Sequence, residues 1–296
     1  AFVSWASFGG GGVSERQRTM QMRIKHTTGY HYESGAVASF NEARMTPMTT
    51  SEQYVLRSRL EISPVHWSYE YREYWGKTLT SFEVHDPHTD LMVVATSIVD
   101  TQDVPPAEDS VTWEALADVQ DEWCEFLELS DWVAPSPELL AELAPLRATA
   151  RRPTDYAMAV MDFLHRRIAY LPGSTEVTTT AADAWVAQSG VCQDFAHLTL
   201  GALREARIPA RYVSGYLHPS PDPVVGESVE GESHAWIEWW DGAWIGWDPT
   251  NAITPGARHV VVAKGRDYAD SPPLRGIFST SGGSELFVGV EITRLR

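Results

Sequence analysis

Apolar and polar positions alternate along the first hundred residues. From Met20 to about Asp100 the segments MRIKHTTGYHY, VASFNEARM, QYVLRSRLEI, HWSYEYREYW, LTSFEVHD and DLMVVATSIV keep a period of two. They are rich in Tyr, Val, Phe and Ile and are broken by Gly, Pro, Asp and Ser. Half-buried antiparallel strands carry this pattern, so an N-terminal antiparallel β-sandwich is predicted over 20–100. Beyond the polar DTQDVPPAEDS (100–110), apolar residues recur at three and four in WEALADVQDEWCEFLEL, PELLAELAPLRA and PTDYAMAVMDFLHRRIAYL, which predicts helices from about 111 to 172. A further helix follows SGVCQ: Phe195, Leu198, Ala202, Leu203 and Ala206 share one face, and Pro209 lies just past its basic end. In ESHAWIEWWDGAWIGWDPT (232–250) two aromatic runs flank Asp241-Gly242, a strong hairpin signal. The fold class expected is α+β, divided near 101 into the sandwich and a second unit in which a helix packs on an antiparallel sheet.

Composition narrows the function. The chain has 296 residues, 43% hydrophobic and 21% charged, with no repeat or low-complexity stretch, enough for two globular domains. Its net charge of -17 opposes phosphate backbones and anionic lipid surfaces, so neither nucleic acid nor membrane is expected as a partner. No apolar stretch approaches the ~20 residues that span a bilayer. Residues 1–19, with a four-glycine run and no basic n-region, read as a tail or cloning remnant. Two cysteines, Cys124 and Cys192, are too few for a disulfide framework, and a reducing cytoplasm is the expected location. No glycine-rich phosphate loop is present, and no cofactor is expected.

The chemistry concentrates around Cys192. Capped at Ser189 or Gly190, the helix would hold Cys192 in its first turn, where unpaired N–H groups and the dipole favour a thiolate. A thiol nucleophile needs a base. His197, five residues on, is turned away around the helix, whereas His234 and Asp248 stand on the two arms of the hairpin. A two-residue turn at Asp241-Gly242 would put them on opposite faces. A three-residue loop, Trp240 to Gly242 with Gly242 left-handed, would pair Trp239 with Ala243 and set His234 opposite Asp248. A catalytic pair therefore predicts the bulged loop, in which Asp248 orients the imidazole.

In the order GVCQDFAHL, IPARYVSGY, SHAWIEWW and WIGWDPTN, the chain resembles the bacterial transglutaminase-like superfamily, a branch of the papain-like thiol enzymes. SFNEARMTP (39–47) is similar to the β-domain preceding this core in bacterial members, and GRDYADSPPLRG (265–276) also looks familial. Carried over position by position, the resemblance places the nucleophile on Cys192, the base on His234 and the orienting acid on Asp248. It implies acyl transfer through a thioester from a glutamine-type carboxamide or peptide bond, with an amine or water as acceptor and a protein or peptide as partner. A cysteine peptidase on the same core and a non-catalytic binding protein are the alternatives. The Cys192 N–H is the natural first oxyanion donor, and the side-chain N–H groups of Gln188 and Trp185 are candidates for the second.

Other residues have plainer readings. Most of the hairpin tryptophans are expected in the core, with Trp236, and Tyr216 on the preceding strand, as cleft candidates. Cys124 reads as a small buried hydrophobe, and Asp194 as a first-turn acid outside the triad. HPSPDPVVGESVEGES (218–233) reads as a solvated connector that, if it overhung the cleft, would favour a cationic acceptor. His85 and His88 lack further ligands at zinc spacing, and the helix-start thiol favours a triad over a metal at Cys192, His234 and Asp248, so no metal is expected.

Overall fold

The computed structural model describes residues 18–64, 67–104 and 110–296. Most of the expected tail, His66 of HWSYEYREYW and residues 105–109 of the expected boundary lie outside the described residues. Strand β1 (Thr19–Ala43) runs through most of the N-terminal half, bent where Gly35 takes φ +71 and the register shifts between His31 and Ala36. Four further strands follow: β2 (Gln53–Ser63), β3 (Trp67–Arg72), β4 (Thr78–Val84) and β5 (His88–Gln102). The first half of β1 pairs with β5, and its second half with β4. Between these layers Tyr32, Phe82, Val84, Leu91 and Val93 form an apolar core, as alternating strands of a sandwich require.

The long helix expected from 113 does not form as one piece. Helix α1 (Trp113–Asp118) stops, and a separate 3-10 turn holds Cys124–Leu127. Cys124 is exposed there, a correction to its expected burial: the chain turns between 118 and 124, so the helical phase that would have aimed it inward is lost. Helices α2 (Pro137–Thr149) and α3 (Pro153–Arg167) form as the spacing predicts.

Two short strands, β6 (Ala169–Tyr170) and β7 (Ser189–Gly190), pair in parallel around α4 (Ala181–Ala187) and lead into α5 (Cys192–Glu205). From Gln193 to Arg204 every residue of α5 is buried. One side packs with α3 through Tyr156, Val160 and Leu164, and another with Tyr212, Ala235, Ile237 and Trp239 of the sheet. Gly201 makes this approach possible, since a Cβ there would stand 1.9 Å from the Val133 carbonyl oxygen. Buried Arg204 ties the far end of α5 to the carbonyls of Ala210, Glu128 and Arg266, so its desolvated guanidinium is met by acceptors.

The sheet under α5 comprises β8 (Ala210–Leu217), β9 (Ser228–Trp240), β10 (Trp244–Trp247) and β11 (His259–Gly265). The last strands, β12 (Leu274–Thr280) and β13 (Ser284–Arg294), return to the N-terminal half, where both pair with β1. β13 also pairs with the first residues of β9, so one eleven-stranded sheet runs from β11 through β8, β9, β13 and β1 to β3. Met20, Met22, Ile24, Tyr216, Val260 and Ile292 fill the junction between the halves. The fold is α+β, with an N-terminal β-layered region followed by helices and a helix packed on an antiparallel sheet.

Candidate active site

Helix α5 begins at Cys192. Its cap is Val191, one residue later than expected, because Ser189 and Gly190 are held in β7. Cys192 is therefore the first helical residue, half-buried, with its N–H among those lacking an intrahelical acceptor. Asp194 closes the turn: its Oδ2 accepts from the Val191 N–H at 2.8 Å and from Thr175 Oγ1 at 2.7 Å. A Cβ at Gly190 would meet the Asp194 side chain at 2.6 Å, so that acid fixes the glycine before the cysteine. Asp194 is structural.

The candidate base, His234, comes from β9. Its first residues pair with β13 and the rest with β8, and His234 lies just past the change of partner, opposite Gly215. The hairpin loop has three residues, with Gly242 left-handed at φ 84, but it comprises Asp241–Ala243, so Trp240 pairs with Trp244. The predicted register of Trp239 against Ala243 is thus corrected by two positions. Because the shift is even, His234 and Asp248 keep to one face. They meet where the chain turns after β10, Asp248 exchanging backbone hydrogen bonds with Ile253. His234 Nε2 lies 2.7 Å from Asp248 Oδ2. That contact leaves Nδ1 for Cys192, which lies close enough to favour the charged form of the imidazole.

Asp248 is wholly buried yet well supplied with donors. Its Oδ1 accepts the Thr250 and Asn251 N–H groups, each at 3.1 Å. Its Oδ2 accepts from His234, from Asn251 Nδ2 at 2.7 Å and from His259 Nε2 at 3.3 Å. Burial alone would raise this carboxyl, but the hydrogen bonds and the positive charge of His234 hold it well below the usual carboxylate range. Burial likewise opposes charge on His234, and there the bond to Asp248 and the proximity of Cys192 prevail and raise the imidazole well above its ordinary value. The site therefore favours imidazolium beside the sulfur, the arrangement that makes a thiol nucleophilic.

The remaining candidates divide. Trp236 is buried beside His234, with ring centroids 6.1 Å from His234 and 5.2 Å from His259. Tyr216 is a correction: it is buried in the junction core with its hydroxyl on His26 Nδ1 at 2.9 Å, because it points to the opposite side of β8 from Gly215. Gln188 is left-handed at the end of α4, and its amide donates to the Trp185 carbonyl. The Trp185 indole packs in the helical core near Phe163. Trp239 is also core, while Trp240 and Trp244 pack with Trp123. His197 is fully buried and accepts the Tyr268 N–H at 3.2 Å. His85 is exposed beside Glu83, whereas His88 is buried within reach of Ser39. Sequence reasoning missed Asn251, His259 and the exposed Tyr170, which pairs with Gly190 two residues before Cys192. A cavity of about 830 Å³ lined by Trp236, His259, Glu238 and Lys264 does not include Cys192 or His234 in its wall, so it is not where the chemistry is assembled.

Residues 22–100 match the bacterial transglutaminase-like N-terminal region, and residues 142–249 match the transglutaminase-like superfamily. An uncharacterised protein of Mycobacterium leprae is 44% identical over 277 residues, 93% of this chain and 99% of that one. The chain belongs to the transglutaminase-like superfamily. Among solved structures of this fold, a candidate cysteine protease from Cytophaga hutchinsonii superposes with a TM-score of 0.77 at 24% identity, over 94% of this chain and 92% of that one. A protein-glutamine gamma-glutamyltransferase of Pseudomonas aeruginosa is 29% identical over 156 residues, 47% of this chain and 23% of its own length. The superfamily match ends at Pro249, one residue past Asp248, and so spans Cys192, His234 and Asp248.

One consequence is measurable without a substrate. At pH 6, iodoacetamide is expected to alkylate half-buried Cys192 at least about tenfold faster than exposed Cys124, because Cys192 stands near an imidazolium at the start of a long α-helix, whereas Cys124 only opens a one-turn 3-10 helix. Peptide mapping by mass spectrometry reads both sites in one digest. Equal labelling would show that the imidazole does not activate the sulfur.

Proposed function

We propose that this protein is a cysteine acyltransferase or amidase acting on glutamine-type carboxamides of a protein or peptide. The contact that carries the reading is Nε2 of His234 on Asp248, with the other ring nitrogen left for a thiol at the first residue of a buried helix. In the forward step the Cys192 sulfur attacks the carboxamide carbon while the Cys192 N–H donates to the developing oxyanion. His234 then gives its proton to the departing nitrogen, and ammonia leaves as the thioester forms. An amine or water, deprotonated by His234, attacks the thioester and expels the sulfur, giving a crosslinked or deamidated product. The gamma-glutamyltransferase relative supports amide nitrogen as the leaving group. Two free thiols accord with a reducing compartment, and we place the protein in the cytoplasm.

Incubation with a library of glutamine-containing peptides, followed by acid quench, is expected to trap a Cys192 adduct equal in mass to the peptide less ammonia. Addition of a primary amine should discharge it to the amide. Chain cleavage without ammonia release would assign the site to a peptidase instead, and absence of any adduct would sink the acyl-transfer reading.

A further inference from the structure

His234, Asp248 and His259 place potential ligand atoms within 4.8 Å of one another, close enough to invite a metal reading. The backbone decides otherwise. His259 Nδ1 accepts the Gly256 N–H at 3.2 Å, so its lone pair is engaged and the ring proton must sit on Nε2. That nitrogen then presents a hydrogen, not a lone pair, to Asp248 Oδ2 3.3 Å away. A cation bound through Nε2 would force the proton to Nδ1, against the Gly256 N–H.

We propose that His259 is a positioning residue of the catalytic group: a neutral imidazole that donates to Asp248 and fixes the carboxylate in the plane His234 requires. This rests on the acyl-transfer reading above. His259 does not touch the sulfur. It acts through Asp248, as outer partners of catalytic histidines commonly act through a carboxylate.

The surroundings favour this role. His259 is buried, and its desolvation, opposed by the Asp248 bond, lowers its pKa and keeps the ring neutral. The charged groups that act on it are Asp248, which raises that value, and His234 and Arg258, which lower it. Trp236 stands edge-on to the ring at 5.2 Å and limits its rotation. The turn that supplies the Gly256 N–H is anchored from the N-terminal half: Asp103 Oδ1 accepts the Ala257 N–H at 2.9 Å and Thr101 Oγ1 donates to the Ala257 carbonyl at 2.5 Å. Strand β5 and the segment after it thus hold the turn that sets the His259 tautomer.

The test compares wild type, His259→Ala and His259→Gln, the last because a glutamine amide reaches nearly as far as Nε2 and still donates. The readout is the rate of Cys192 alkylation by iodoacetamide from pH 5 to 9, with Cys124 as internal standard and melting temperature measured in parallel. His259→Ala is expected to lose about tenfold in Cys192 alkylation at pH 6 and to converge on wild type near pH 9, while His259→Gln stays within about twofold throughout. In the nitrogen-15 spectrum of labelled wild type, His259 is expected to carry its proton on Nε2 from pH 5 to 8. A wild-type profile for His259→Ala, an equally depressed and still folded His259→Gln, or an Nδ1–H tautomer would each overturn the role. Should His259→Ala fail to fold, His259→Gln and the tautomer decide. If wild-type Cys192 itself is no more reactive than Cys124, the acyl-transfer reading falls and takes the role of His259 with it. Selectivity in wild type that survives unchanged in His259→Ala removes only the role of His259.

Discussion

Cys192→Ala is expected to yield a folded protein with no measurable turnover. The lost step is formation of the thioester, for which no other group at the site can substitute, so activity on a responsive glutamine peptide should fall on the order of 10⁴-fold or more. The scaffold has little reason to notice. Cys192 is half-buried at the first residue of α5, alanine suits a helix, and the closure of the first turn comes from Asp194 rather than from the sulfur. The melting temperature should move by no more than about 2 °C. Peptide binding, followed by fluorescence of the nearby tryptophans, should persist. Turnover above a few per cent of wild type would mean that the acyl group is carried elsewhere.

Asp248→Asn has the second large effect, and it strikes both activity and stability. Two N–H donors converge on one carboxylate oxygen and three on the other. Asparagine offers only one oxygen, so in either orientation its amide hydrogens confront donors inside a buried site. A cost of about 1–3 kcal/mol follows, which is roughly 3–10 °C in a chain of this size. The amide also fails to hold the His234 tautomer, and turnover should drop by about 10³–10⁴, leaving a residue above the Cys192→Ala background.

The pH dependence of that destabilisation has a definite sign. Asp248 has a depressed carboxyl, so its contribution is present above the ordinary value of ~3.9 and is lost as pH falls below it. His234 is raised, so its contribution is full below ~6.5 and fades as pH climbs towards its folded value. The gap in melting temperature between wild type and Asp248→Asn should therefore be widest between about pH 4 and 6.5 and narrow on the alkaline side, with a remainder set by the stranded donors. A gap that widens with alkalinity would contradict the ion pair.

The two halves of the site differed in how readable they were. Cys192 was legible because a lone thiol preceded a run with a clear helical face, and the hairpin because Asp241-Gly242 punctuated two aromatic runs. The register was misjudged by two, since Gly242 can close a three-residue loop in more than one frame, but strand parity survived the error and the His234–Asp248 pairing with it. His259 left no local mark: it lies eleven residues beyond Asp248 in RHVVVAKG, a segment that reads as an ordinary strand, and only the pairing of β11 with β8 brings it under the carboxylate. Tyr216 was misassigned because the face of β8 that it occupies is set by the partner strand. Cys124 was misassigned because a helical repeat continued in sequence across a turn that breaks it in space. Nothing local in ELFVGVEITR says that the closing strand lies beside the opening one.

That closing strand has a consequence for how such a protein can be divided. Because β13 lies between β1 and β9, no single cut separates the front of the molecule from the reactive half: an excised segment from 111 to the end would carry a ribbon whose partner had been discarded. Met22 also faces Arg294, so the start of β1 lies beside the end of β13 within the sheet. The chain is knitted rather than strung, and exchange of its front region between homologues would have to bring the final two ribbons along.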